Sequence, residues 1–173
     1  MYFQDISKFA NLSDYLPILN GAIITDLIVM LRVVLGQIKS KSLTSWYKKY
    51  GISSVFADVL SIVIGIIVAR FLYPLIFSKF SVFLFAALAI VVQVTHDLLF
   101  ASFFNYIPRG KSDILDTFKD YAKEFGPIIL LADATMMVST VILGSLLASL
   151  SANLNMVILI ISLYIVPYFL YSI

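Results

Sequence analysis

Residues 91–100 read VVQVTHDLLF, which places the single histidine of the chain, His96, beside Asp97 inside a long apolar run. Histidine next to a carboxylate is acid–base chemistry: one group holds a proton near neutral pH and the other steadies it. Four more ionisable residues lie in comparable apolar surroundings, namely Asp26, Arg32, Asp58 and Asp133. Such residues are costly at bilayer depth and normally face a bundle interior or a wet cavity.

The elements that must position them are membrane helices. The chain has 173 residues, 61% hydrophobic and only 13% charged, with a mean hydropathy of +1.01. A soluble domain of this length is nearer half apolar and a quarter charged, so the apolar surplus belongs in lipid. A spanning helix needs about 20 mostly apolar residues, and five stretches qualify: 17–38, 52–74, 80–106, 127–150 and 154–172. The expected fold is therefore all-α, one membrane domain over 1–173 with five spans. Pro74 and Pro108 read as stops, and Pro167 as a kink or break in the fifth span.

Two segments do not span. Residues 37–51, QIKSKSLTSWYKKYG, form a basic connector whose Trp46, Tyr47 and Tyr50 suit the headgroup level. Residues 112–125 alternate charges with Ile114, Leu115, Phe118, Tyr121, Ala122 and Phe125 at helical spacing, after the N-cap candidate Ser112 and before Gly126. That pattern predicts an amphipathic helix in the interface or packed on the bundle. Lysines crowd the side that holds both connectors, so the positive-inside rule places these connectors and the C-terminus in the cytoplasm and the N-terminus outside. The N-terminal segment has no basic run and no small-residue cleavage site, and reads as carrying no cleavable signal peptide.

Depth and face connect the ionisable groups. At about 1.5 Å per residue, Asp58, Asp133 and Arg32 are expected roughly 10 Å from the connector side, His96 and Asp97 somewhat deeper, and Asp26 near the midplane. Small and polar residues share a stripe on each span: Gly21, Thr25, Ile28, Arg32 and Gly36 on the first; Ser54, Asp58, Ser61, Gly65 and Ala69 on the second; Ala86, Ala89, Gln93, His96 and Asp97 on the third; Asp133, Met137, Thr140, Gly144 and Ala148 on the fourth. Gln93, Ser61 and Thr140 serve helix packing in this reading. His96 and Asp97, about 100° apart on a helix, are expected to meet partners on two different helices. The fifth span is a peripheral support.

Four aspartates against one arginine leave a formal −3 in this layer, or −2 with His96 protonated. A dry layer cannot hold that charge, so some aspartates are neutral, a cation sits among them, or water enters from the lysine-rich side. A lone aspartate in a membrane helix is more often structural glue than a transport group, and an Arg32-centred ion cluster is the bland alternative for Asp58 and Asp133.

Other chemistries fail on their own requirements. With no cysteine and one histidine, thiolate catalysis, disulfides and multi-histidine metal sites are excluded, and no cofactor is expected. Gly110-Lys111-Ser112 lacks the glycine a phosphate loop needs five residues before Gly110, where Asn105 stands. No nucleophile elbow accompanies a serine partner for His96, and no lysine lies inside a span to form a retinal Schiff base. A net charge of +2 gives no reason to expect nucleic acid.

The stretches LNGAIITDL (19–27), QVTHDLLF (93–100) and PRGKSDILDTFKDYAKEFG (108–126) followed by LLADATMM (130–137) resemble a family of small, uncharacterised polytopic membrane proteins of large nucleocytoplasmic DNA viruses. The resemblance implies a viral membrane protein and transfers no site residues. The leading functional expectation is a proton or small-cation channel or transporter using Asp58, His96, Asp97, Asp133, Arg32 and Asp26. The alternatives are a structural scaffold of a viral envelope or inner membrane and, ranked last, an enzyme acting on a lipid-soluble substrate. The expected partner is the lipid bilayer, with a second copy of the chain and a small cation or lipid as further candidates.

Overall fold

The structure is a computed structural model, and it describes residues 3–173. Among the described residues there are seven α-helices and no strand: α1 (Tyr15–Val34), α2 (Lys41–Tyr50), α3 (Ile52–Ile76), α4 (Val82–Tyr106), α5 (Asp113–Phe125), α6 (Ile128–Leu147) and α7 (Ala152–Leu170). Five of them, α1, α3, α4, α6 and α7, are long and apolar enough to cross a membrane. The chain thus has the makeup of a multi-pass integral membrane protein. Helix α1 runs through the middle, flanked by α3, α6 and α7, while α4 packs against α3 and α6. Helix α7 leans chiefly on α1, in keeping with a peripheral position.

Alternation of the five long helices puts α2, α5 and the C-terminus at one end, here the connector end. The N-terminal segment and the α3–α4 and α6–α7 turns lie at the other. Helices α1 and α6 approach most closely at Gly21 and Gly144, where a Cβ on Gly21 would stand 2.9 Å from Gly144 N and 3.0 Å from Thr140 O. Only a glycine lets two backbones meet so closely, which is how membrane helices without a hydrophobic driving force gain contact. Beyond this point the N-terminal segment folds over the bundle: Gln4 N donates to Ser145 O at 3.1 Å, and Ile6 is fully buried.

Three expectations about elements are corrected. The first long helix ends at Val34 instead of 38, because Gly36 turns left-handed at φ 67° and the amides of Gln37 and Ile38 bond back to Arg32 O, a glycine-terminated helix end. The basic connector contains a helix, α2, whose N-cap Ser40 accepts from Leu43 N at 3.0 Å. Pro74 is no stop, since α3 continues to Ile76 with the proline in its last turn and loses only one amide donor there. The amphipathic helix forms as α5 behind the Ser112 cap.

Candidate functional site

The shortened α1 changes the geometry of the ionisable layer. Counted from the connector ends of their helices at about 1.5 Å per residue, Asp133, Asp58, Asp26 and Asp97 lie about 8, 9, 12 and 14 Å deep. Asp26 is therefore no midplane residue; it shares a narrow band with the other three. Each of the four comes from a different helix, and successive members act on one another through charge, so that they form a file: Asp26 on Asp58, Asp58 on Asp133, and Asp97 on Asp133, the pair that approaches most directly. Among the described residues no three His, Asp or Glu side chains converge closely enough to hold a metal ion. The arrangement is a file of carboxyls and not a cage.

Each member is held by a neighbour. Asp97 Oδ1 accepts from Gln93 Nε2 at 2.7 Å, one turn back on α4. Asp58 accepts from Trp46 Nε1 at 3.2 and 3.0 Å, one contact to each oxygen. The Tyr47 hydroxyl donates to Asp26 Oδ1 at 3.3 Å. Both aromatic donors come from α2, so the segment expected to lie at headgroup level instead reaches down and closes the file. Asp26 Oδ2 and Asp97 Oδ2 are buried without a hydrogen-bond partner.

The lid on this file is a pair of short helices. Glu124 of α5 accepts from the amides of Lys41 and Ser42 at 3.0 and 2.8 Å, satisfying first-turn donors that α2 cannot satisfy itself. Trp46 packs on Phe118 with ring centroids 5.0 Å apart, Tyr50 and Thr117 hydroxyls meet at 3.1 Å, and Lys49 pairs with Asp113 at 3.1 Å. Burial pushes the Tyr47 hydroxyl well above its usual range, with Asp26 and Asp58 adding to the shift. Burial, then Asp133 and Asp58, does the same for Tyr121 of α5. Both phenols therefore stay protonated, and Tyr47 donates to Asp26. The Ser42 contacts hold Glu124 below its ordinary value.

Not every expected member belongs to the file. Arg32 is exposed in the last turn of α1, and among the described residues it centres no ion cluster. Ile28 is exposed as well, so the stripe drawn on the first span faces inward only at Gly21 and Thr25. His96 points away from the bundle, its side chain 51% exposed, stacked on Phe100 with centroids 5.8 Å apart. Its Nδ1 lies 3.1 Å from Asp97 Oδ1. The two adjacent residues do interact directly, contrary to the expectation of partners on separate helices, because Asp97 bends toward the imidazole while facing α6. Of the packing residues, Thr140 donates to Thr25 at 3.3 Å across α6 and α1. Ser61 instead bonds back to Asp58 O on its own helix at 2.8 Å, and Gln93 serves Asp97.

A second buried charge cluster was not expected. At the opposite end, the fully buried Arg70 pairs with Asp14 at 3.1 Å, donates to the carbonyls of Lys8 and Asn11, and lies over the Tyr15 ring at 4.4 Å. It lies near the end of α3, and the folded-back N-terminal segment covers it.

The chain matches no protein-family model, no curated protein and no solved structure. What it does has to be argued from the geometry above.

Proposed function

We propose that this multi-pass protein passes protons along the carboxyl file Asp26–Asp58–Asp133–Asp97, with α2 and α5 as the cover on its connector end. The observation that carries the reading is the Asp133–Asp97 contact across α6 and α4. Two carboxyl groups at this approach hydrogen-bond each other when one holds a proton, and Asp97 Oδ2 is buried with no donor of its own. A file of such groups with protonated phenols beside it is a relay, whereas a cation carrier needs several oxygens around one point. Arg32, exposed, has no part in it. The lysines of the connector end, Lys39, Lys41, Lys48 and Lys49 among them, support a cytoplasmic side for that end. The opposite end adds only Lys8 and Lys79, since Arg70 is consumed by Asp14.

Reconstitution in liposomes with a pH-sensitive dye inside tests the reading. Wild-type protein should carry flux under an imposed gradient, and Asp97→Asn or Asp133→Asn should cut it roughly 100-fold, the lower end of what a positioned acid–base group contributes. A folded wild-type protein with no flux overturns the relay.

One observation favours a second reading, the membrane scaffold. Trp46 and Tyr47 occupy acceptors on Asp58 and Asp26 from within the same chain, as in a polar layer that only sets helix order. Scaffold function in a viral membrane would fit the resemblance of the sequence, and normal assembly of Asp97→Asn without any flux in wild type would support it.

A further inference from the structure

We propose that the cleft between α3 and α4 is a lateral binding slot for a neutral long-chain alcohol whose hydroxyl donates to His96. The cleft measures about 270 Å³ and is walled by Ala57, Ser61, Ile64 and Val68 on one side and Val92 and His96 on the other. From Ala57 to Val68 it follows α3 for about 16 Å, a length and volume that suit one hydrocarbon chain and not a bulky ligand.

The head-group chemistry follows from His96. It sits about 15 Å from the connector end of α4, inside a hydrocarbon core about 30 Å thick. A polar group left unpaired at that depth is costly, yet among the described residues Nε2 has no hydrogen-bond partner, all of the protein's attention going to Nδ1. With Asp97 ionised its Oδ1 can only accept, which puts the proton on Nδ1 and leaves Nε2 as an acceptor. The stack on Phe100, nearly parallel at 14°, holds the ring in that orientation. The ligand must therefore present a donor. Asp97 stands beside the ring and disfavours an anionic head, and the other walls offer only alkyl surface and the Ser61 hydroxyl, already turned to Asp58 O. A hydroxyl on a hydrocarbon chain meets these demands.

The test uses the full-length protein in phosphatidylcholine nanodiscs with a photoactivatable long-chain alcohol and a matched alkane probe. Saturable crosslinks to residues 57–68 and 92–96 are expected. His96→Phe, which keeps the stack on Phe100, should weaken alcohol binding about tenfold, the worth of one hydrogen bond, and leave the alkane unchanged. Ser61→Leu should exclude both probes. Crosslinks spread evenly over the lipid-facing helices, or alcohol affinity untouched by His96→Phe, overturn the slot. A carboxylic acid of the same chain competing better than the alcohol overturns the hydroxyl assignment. Binding is read without a gradient, so a protein that binds the alcohol and passes no protons loses the relay and keeps the slot.

Discussion

The two ends of the bundle treat buried charge in opposite ways. At the N-terminal end, one arginine and one aspartate balance each other. Arg70 spends its Nη2 on Asp14 and on two carbonyls of the segment that folds over it. At the connector end, four aspartates stand together with no buried lysine or arginine among them in the described residues, and their neighbours are an indole, two phenols, an amide and the exposed His96 imidazole. Balanced charge, with Nη2 of Arg70 bonded to the segment itself, is a way to fasten a chain segment to a membrane bundle. Unbalanced acid, closed over by neutral donors on a separate pair of short helices, leaves protonation as the free variable. The contrast separates a fastening from a candidate relay, although both consist of buried Asp side chains.

The largest effect should come from the fastening. Arg70→Met strands Asp14 in a buried site and is expected to destabilise the protein by about 3–5 kcal/mol, measured by unfolding in mild detergent, and to expose the N-terminal segment to protease. Asp97→Asn removes charge from a site with no cation and should change stability by about 1 kcal/mol or less. Equal losses for the two variants would erase the distinction between the ends.

Next in size is the seam that joins the two ends. Gly21→Ala drives a methyl into the backbone of α6 at Gly144 and Thr140, neither of which can rotate away, and should cost about 1–3 kcal/mol. Trp46→Phe keeps the packing on Phe118 but removes the donor to Asp58. It should cost about 1 kcal/mol and, under the relay reading, raise proton leak in liposomes by loosening the cover.

The smallest effect concerns the lid. Glu124 is held below its ordinary carboxyl value, chiefly by Ser42, so its grip on α2 is complete above an unfolded value of 4.5 and is lost as pH falls through the lower folded value. The protein has one tryptophan, Trp46, whose emission should shift to the red over that acid range, while Glu124→Gln should flatten the response.

Much of this was legible beforehand. The stripe Ser54, Asp58, Ser61, Gly65, Ala69 and its counterpart from Asp133 to Ala148 identified inward faces, because small and polar side chains at helical spacing have no reason to meet lipid. The α5 helix was equally readable from Ser112, its alternating charges and Gly126. Helix α2 was not, since its Trp46 and Tyr47 carry the same composition signal as interfacial anchors, and only their hydrogen bonds to Asp58 and Asp26 tell the two apart. A sharper reading of Gly36 would have ended the first helix at Val34 and lifted Asp26 into the band. The outward turn of His96 was not legible, since the stripe Ala86, Ala89, Gln93, His96 and Asp97 put it on the inward face.

Composition alone settled that this chain has five helices suited to lipid, because 61% hydrophobic residues exceed what one small core can bury. Helical periodicity then settled which side of most of those helices turns inward. Which acid meets which neighbour was decided only in three dimensions. Asp14 finds Arg70 across 56 residues and Asp97 finds Asp133 across another loop, and such pairings depend on helix crossings and chain reversals that leave no local trace in the order of residues.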